Sequence, residues 1–120
     1  MVADDHREVL QAITRLLEGE PFVDVCGTAT DGRAAVQQFR ALHPDLVILD
    51  FSMPEINGLE AAREIHALAP HVGILLCTMY PVAALKIVAR KAGVLEVIPK
   101  EELSTNLLHS VRSLLDAKPK

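Results

Sequence analysis

Apolar residues follow two patterns along the chain. Short runs rich in Val, Ile and Leu are typical of strands buried in a parallel sheet. Longer segments carry an apolar residue at every third or fourth position, which is typical of amphipathic helices. The short runs predict strands at residues 1–3, 22–29, 46–50, 73–78 and 96–99, and the longer segments predict helices at residues 6–18, 32–42, 57–68, 81–92 and 103–116.

The alternation of strand and helix predicts an α/β fold. Right-handed crossovers would bury a five-stranded parallel sheet between two helical layers, which is a doubly wound (βα)5 three-layer sandwich. The first strand has only residues 1–3 before Asp4, whereas strands usually have about 5–6 residues, so we expect it to be truncated. At 120 residues the chain has the length of one domain. We assign that domain to residues 1–116, and residues 117–120 to a tail or linker stub.

Four of the apolar runs stop at a residue that can contact phosphate or its metal ion. These residues are the pair Asp4-Asp5, then Asp50, Thr78 and Lys100. In an open α/β sheet, ligands bind outside the carboxyl ends of the strands. The sequence therefore predicts that these side chains meet at one edge of the sheet.

The three carboxylates predict a Mg²⁺ site. Mg²⁺ takes oxygen ligands in an octahedron and retains waters. We expect Asp5 and Asp50 to bind it directly, Asp4 to hold a coordinated water, and the backbone carbonyl of Ser52 to add a ligand. Taken alone, Asp4-Asp5 is better explained as a helix cap, and Asp50 as a residue that simply ends a strand. Together the carboxylates would repel one another without a cation, which favours the metal site.

Asp50 is the candidate nucleophile, because a carboxylate can attack phosphorus and form an acyl phosphate. That transfer requires positioning of the phosphoryl group and neutralisation of its oxygens. Lys100 supplies a compact cation and Thr78 a hydroxyl donor. The neighbouring His6 could also reach the metal site, but solvation at the start of a helix is the favoured interpretation.

Charge and composition exclude other classes of protein. The formal net charge is −4, and the clustered cations Lys86, Arg90 and Lys91 lie on one predicted helix, so direct nucleic-acid binding is not expected. No apolar run approaches the ~20 residues of a membrane span. Cys26 and Cys77 fall in predicted strands, which favours buried, reduced thiols and a cytoplasmic protein.

The chain resembles the receiver domain of two-component response regulators. The residues that carry the resemblance are Asp4-Asp5, Asp50 with Met53-Pro54 and Gly58, Thr78, Ala92-Gly93 and Lys100. The resemblance implies a flavodoxin-like fold with strand order 2-1-3-4-5. It also implies Mg²⁺-dependent phosphotransfer from a histidine kinase to Asp50, with Thr78 and Lys100 in supporting roles.

Three segments are most similar to receivers that precede a LuxR-type helix-turn-helix domain. They are Asp4-Asp5-His6, the five residues from Gly58, and Thr78-Met79-Tyr80. The implied partners are a histidine kinase and a LuxR-type DNA-binding effector domain, which does not follow in this chain. Transcriptional regulation is therefore the expected role of the full-length protein, and a homodimer is left open.

Departures from the family pattern keep an alternative open. Val97 stands where many receivers carry a switch Tyr or Phe, and Glu101 follows the lysine where many have Pro. A phosphorylation-independent pseudo-receiver, acting as a protein-interaction module, is the second hypothesis. A phosphatase of the haloacid-dehalogenase type would need Asp at the position of Ser52, so we expect a self-catalysed phosphoacceptor switch and not an enzyme.

Overall fold

A computed structural model describes residues 1–116. Over that range, five strands alternate with five α-helices. The strands are β1 (Val2–Ala3), β2 (Thr28–Ala29), β3 (Leu46–Asp50), β4 (Gly73–Thr78) and β5 (Glu96–Pro99). The helices are α1 (Arg7–Glu18), α2 (Gly32–Leu42), α3 (Gly58–Leu68), α4 (Val82–Lys91) and α5 (Leu103–Asp116), with a 3-10 turn at Lys100–Glu102 before α5. The tail predicted at residues 117–120 lies outside the described part of the chain.

The strands form one parallel sheet in the order β2-β1-β3-β4-β5. This order and the three-layer α/β architecture confirm the predicted fold. Asp50 lies opposite Cys77, and Thr78 opposite Pro99, so the carboxyl ends of β3, β4 and β5 are level with one another. None of the helices within residues 1–116 is long and apolar enough to cross a membrane.

Each face of the sheet has its own core. Successive strand residues point to opposite faces, so Leu49 packs on one side and Ile48 on the other. One core includes side chains of α2, α3 and α4: Ala35, Val36, Phe39, Ala61, Ile65 and Ala89. The other includes side chains of α1 and α5: Leu10, Ile13, Leu17, Leu107 and Val111. The sheet is thereby shielded from water on both faces.

The loop between β3 and α3 is tightly constrained. Asn57 caps α3 by accepting from Glu60 N at 2.8 Å, and Glu60 reaches back to Asn57 N at 3.2 Å. Gly58 N donates to Phe51 O at 2.8 Å. A Cβ at Gly58 would overlap the carbonyl of Asp50, so only glycine allows α3 to approach the end of β3 this closely. These contacts fix the position of α3 against the backbone beside Asp50.

The prediction of a second strand over residues 22–29 was wrong, because β2 contains only Thr28–Ala29. This edge segment pairs only with β1, and β1 is two residues long. Residues 22–27 therefore have too little partner strand to form a ladder. Cys26, predicted to be buried in that strand, is exposed, whereas Cys77 in β4 is buried as expected.

β1 is as short as predicted, with only Val2–Ala3, and a cavity of about 310 Å³ lies beside its amino-terminal end. The lining includes Met1, Phe22, Leu42, Leu46 and Val111. The ammonium of Met1 donates to Leu46 O at 3.0 Å, and burial lowers its pKa. A charged group therefore lies where a longer strand would place a neutral amide.

Lengthening β1 should stabilise the domain. We expect a variant with about four apolar residues inserted before Val2 to melt at least ~5 °C higher, because the insertion fills the cavity and removes the buried ammonium. Thermal denaturation followed by circular dichroism measures the change.

The matched control carries an insertion of the same length made of Gly and Ser. It also replaces the ammonium by an amide but adds little apolar surface, so it should give a smaller gain. Equal melting temperatures for the wild type and both variants would show that the cavity does not limit stability.

Candidate functional site

The polar residues predicted to meet do so at the carboxyl edge of the sheet. Asp4 follows β1, Asp50 ends β3, Thr78 ends β4 and Lys100 follows β5. The parallel register brings these positions together. Three of them are almost inaccessible, with exposed fractions of 1% for Asp4, 3% for Asp50 and 1% for Thr78.

Acidic side chains and one imidazole form a compact cluster at this edge. One ligand atom each from Asp4, Asp5, His6 and Asp50 lies within 4.8 Å of the others. The side chain of Asp5 is 29% exposed, so the cluster opens to solvent on that side. Asp5 does not cap α1 as considered above: the N-cap residue is His6, and Asp4 Oδ1 accepts from His6 N at 2.9 Å.

Lys100 joins two of the carboxylates. Its Nζ lies 3.0 Å from Asp50 Oδ1 and 3.1 Å from Asp4 Oδ2, and its side chain is 10% exposed. Burial alone would lower the pKa of Lys100, but its ion pairs with the negatively charged Asp50 and Asp4 together outweigh burial and raise it. The ammonium therefore stays charged and links the end of β5 to those of β1 and β3.

One lysine does not balance the negative charge at Asp50. Burial raises the pKa of Asp50 to about 6, against 3.8 for an ordinary aspartate; Lys100 opposes this shift and the nearby Asp4 adds to it. The ionised carboxylate of Asp50 is therefore less stable here than it would be in water.

Several carboxylate oxygens are also left without hydrogen bonds. Asp50 Oδ2 is shielded from solvent and accepts none from the described residues. Asp4 Oδ2 lies 3.1 Å from Lys100 Nζ, and Asp5 Oδ1 lies 3.1 Å from His6 Nδ1. Neither contact has the geometry of a hydrogen bond, so these two oxygens also accept none from the described residues. These oxygens and the raised pKa of Asp50 fit a divalent cation, which carboxylate oxygen suits well.

Thr78 is held by the loop that follows it. Its Oγ1 accepts from Tyr80 N at 2.8 Å, which leaves the hydroxyl proton able to donate elsewhere. The ring of Tyr80 packs edge-on against Phe51, with centroids 5.5 Å apart and an interplanar angle of 88°. The residue after Asp50 and the loop after Thr78 are therefore in direct contact, which the sequence did not reveal.

His6 is both solvated and close to the acidic pair. Its side chain is 65% exposed, in agreement with the favoured interpretation, and its Nδ1 lies 3.1 Å from Asp5 Oδ1 and 3.5 Å from Asp4 Oδ1. The adjacency of His6 to an acidic pair was the only signal in the sequence. Ser52 lies exposed in the loop after Asp50, and ligation by its carbonyl stays a prediction.

Comparison with known proteins agrees with this geometry. Residues 1–112 match the family described as "Response regulator receiver domain". The chemotaxis protein CheY of Thermotoga maritima is 42% identical over 77 residues, which are 64% of each chain. A protein-glutamate methylesterase/protein-glutamine glutaminase of Nocardioides sp. is 36% identical over 102 residues, 83% of this chain and 28% of that protein. The chain thus spans less than two thirds of either curated relative.

Solved structures give the same result. A two-component response regulator of the LuxR family from Aurantimonas sp. superposes with a TM-score of 0.92 and 30% identity, covering 98% of this chain and 84% of that one. The signal receiver domain of the putative response regulator NarL from Mycobacterium tuberculosis gives a TM-score of 0.90 and 27% identity, covering 97% and 94%. From the family match over residues 1–112 and the acidic site at the carboxyl edge of its sheet, the chain belongs to the response regulator receiver domain family.

Proposed function

We propose that this receiver accepts a phosphoryl group on Asp50 from a histidine kinase, in a Mg²⁺-dependent reaction, and thereby changes its interaction with an effector. One observation carries the proposal. Asp50 is 3% exposed, its Oδ1 lies 3.0 Å from Lys100 Nζ, and its Oδ2 accepts no hydrogen bond from the described residues. In this carboxylate, Lys100 positions Oδ1, and Oδ2 is available for a metal ion or a phosphoryl group.

The proposed transfer is a substitution at phosphorus. A carboxylate oxygen of Asp50 forms the new P–O bond while the P–N bond of the donor phosphohistidine breaks, and the electron pair of that bond stays on the imidazole. The product is an acyl phosphate on Asp50. The ammonium of Lys100 can neutralise a phosphoryl oxygen, and the hydroxyl of Thr78 can donate to another.

The acidic cluster would hold the Mg²⁺ ion. Asp5 and Asp50 are proposed as direct ligands, Asp4 as a partner of a coordinated water, and Ser52 as a carbonyl ligand. When bound, the ion neutralises charge on the phosphoryl oxygens and on the carboxylates themselves. Because the chain modifies its own Asp50, it acts as a phosphoacceptor switch with self-catalysed transfer and dephosphorylation.

The wider role is also a proposal. The structural likeness to a LuxR-family response regulator supports an effector that binds DNA and a role in transcription regulation in the cytoplasm. A homodimer is a second arrangement through which the switch could act. The second candidate function is the pseudo-receiver, which is favoured by the absence of an aromatic ring at Val97.

Phosphorylation can be tested directly. Incubation with a small-molecule phosphodonor and Mg²⁺ should give a phosphoryl adduct on the intact protein by mass spectrometry. The adduct should be lost in Asp50→Asn, because the amide is not a nucleophile. It should persist in Asp24→Asn, whose carboxylate is exposed and lies outside the acidic cluster. An unmodified wild type in excess donor would support the pseudo-receiver instead.

The raised pKa of Asp50 predicts that the stability of the metal-free protein, kept so by a chelator, depends on pH. Because its pKa is raised from 3.8 to about 6, the folded state binds the proton more tightly than the unfolded state. The group therefore stabilises the fold below pH 3.8 and loses that contribution as the pH rises to about 6. Asp50→Asn should melt above the wild type at neutral pH, and the difference should shrink as the pH falls through this window.

Mg²⁺ provides the complementary comparison. Millimolar Mg²⁺ should raise the melting temperature of the wild type by binding only the folded state, and leave Asp5→Asn/Asp50→Asn unchanged. Asp24→Asn should behave as the wild type. Equal shifts in the wild type and the double variant would place the ion elsewhere and refute the proposed ligands.

The region around Val97 indicates how the signal would leave the site. Val97 is half-buried beside a cleft of about 250 Å³, whose lining includes Val82, Ala89 and Val94. Valine is stiff about its first torsion and cannot swing into a ring-sized space. Tyr80 does not line this cleft, and its ring packs on Phe51.

We therefore predict that Asp50 accepts phosphate while α4 responds weakly. With the phosphoryl mimic beryllofluoride and Mg²⁺, NMR shifts should be large at Asp50, Thr78 and Phe51 and small across Val82–Lys91. Val97→Tyr supplies the missing ring and should enlarge the shifts on α4. Shifts on α4 of the wild type as large as those at Asp50 would show that the switch operates without that ring.

A further inference from the structure

We propose that His6 is a nitrogen ligand of the divalent cation, so that this site binds transition-metal ions more tightly than its carboxylates alone would. The proposal rests on the proposed function in one respect, that Asp4, Asp5 and Asp50 hold a cation. It adds a ligand of different chemistry and a selectivity that follows from it.

The position of the imidazole carries the argument. His6 Nδ1 lies 3.1 Å from Asp5 Oδ1 and 3.5 Å from Asp4 Oδ1. All four candidate ligand atoms, one each from Asp4, Asp5, His6 and Asp50, lie within 4.8 Å of one another. A cluster this compact can surround one ion after minor adjustment, with Asp4 acting through a coordinated water, since metal–ligand bonds in such sites are about 2.0–2.2 Å long.

The backbone fixes this placement. His6 is the extended N-cap residue of α1, and its N–H donates to Asp4 Oδ1 at 2.9 Å. The ring, 65% exposed, is not packed into the core and can rotate by the small amount that coordination requires. The main chain thus holds the imidazole at the open side of the acidic cluster.

A separate observation indicates that the cluster receives an ion. Asp50 is 3% exposed, yet its Oδ2 accepts no hydrogen bond from the described residues. A buried carboxylate oxygen without a partner carries a large desolvation cost. Lys100 contacts Oδ1 of this group, which leaves Oδ2 for a second cation.

The ligand set determines which ions benefit. Mg²⁺ prefers oxygen and gains little from a nitrogen ligand. Imidazole suits Co²⁺, Ni²⁺ and Zn²⁺, whose affinities for mixed nitrogen and oxygen sites exceed that of Mn²⁺. A site in which His6 joins the carboxylates of Asp5 and Asp50 should therefore gain selectivity for these ions from the imidazole itself.

The test compares two ions in matched proteins. Co²⁺ and Mg²⁺ are titrated separately by calorimetry into Cys26→Ser protein, because the exposed thiol of Cys26 would also bind Co²⁺. In that background, His6→Ala should weaken Co²⁺ binding by about tenfold or more. The same change should alter Mg²⁺ affinity by less than about twofold. His71→Ala removes another exposed imidazole, outside the cluster, and should change neither affinity.

A spectroscopic readout separates ligation from a general electrostatic effect. The visible absorption spectrum of bound Co²⁺ should change in His6→Ala, because a nitrogen leaves the coordination sphere, and stay the same in His71→Ala. If His6 is only a counter-cation that the metal displaces, His6→Ala should instead tighten Co²⁺ and Mg²⁺ binding alike. That result, or an unchanged Co²⁺ affinity, overturns the proposal.

Asp50→Asn distinguishes this failure from that of the proposed function. If Mg²⁺ binding is lost in Asp50→Asn while His6→Ala leaves Co²⁺ binding intact, the carboxylate site stands and only the role of His6 is rejected. If Asp50→Asn leaves both ions bound as in the parent, the carboxylates are not the site, and the metal ligation in the proposed function is rejected with it.

Discussion

The site depends on one electrostatic constraint: the pairing of β1 with β3 holds the carboxylates of Asp4 and Asp50 close together despite their like charge. Asp4 and Asp50 end adjacent parallel strands, so register alone makes them neighbours. The cores on both faces of the sheet keep water from the backbone beneath them. Lys100 reaches both carboxylates from the end of β5 and is the only lysine or arginine paired with them among the described residues. One ammonium cannot neutralise the carboxylates of this cluster. A bound divalent cation would offset the negative charge that remains.

Most of this arrangement could be predicted from the sequence because it depends on local signals. Three strands, β3, β4 and β5, were predicted with their observed bounds, since each apolar run has the length of a strand and stops at a polar residue. The same signal placed Asp50, Thr78 and Lys100 at the edge. Helix boundaries were predicted from residues that cap or end helices. Asn57 is the N-cap of α3, and α2 ends at His43, the residue before Pro44.

What the sequence could not reveal depends on partners distant along the chain. Residues 22–27 have the composition of a strand, but strand formation also needs a neighbour, and β1 is too short to provide one. The position of His6 Nδ1 depends on the backbone angle at the helix start and on a bond to Asp4, neither of which has a sequence pattern. The contact of Phe51 with Tyr80 likewise joins two loops whose proximity is set by the pairing of β3 with β4.

β1 matters both for the stability of the sheet and for the position of the acidic residues. The backbone hydrogen bonds at this strand include Val2 N to Gly27 O at 3.1 Å and Ile48 N to Met1 O at 2.9 Å. Asp4 and Asp5 follow β1 directly, while Asp50 is the last residue of β3. A cation shared by these carboxylates would therefore clamp β1 to β3 at the end opposite the cavity. By linkage, a change that loosens β1 would then weaken cation binding, and cation binding would in turn stabilise β1. In this receiver the metal site would thus contribute to folding as well as to phosphotransfer.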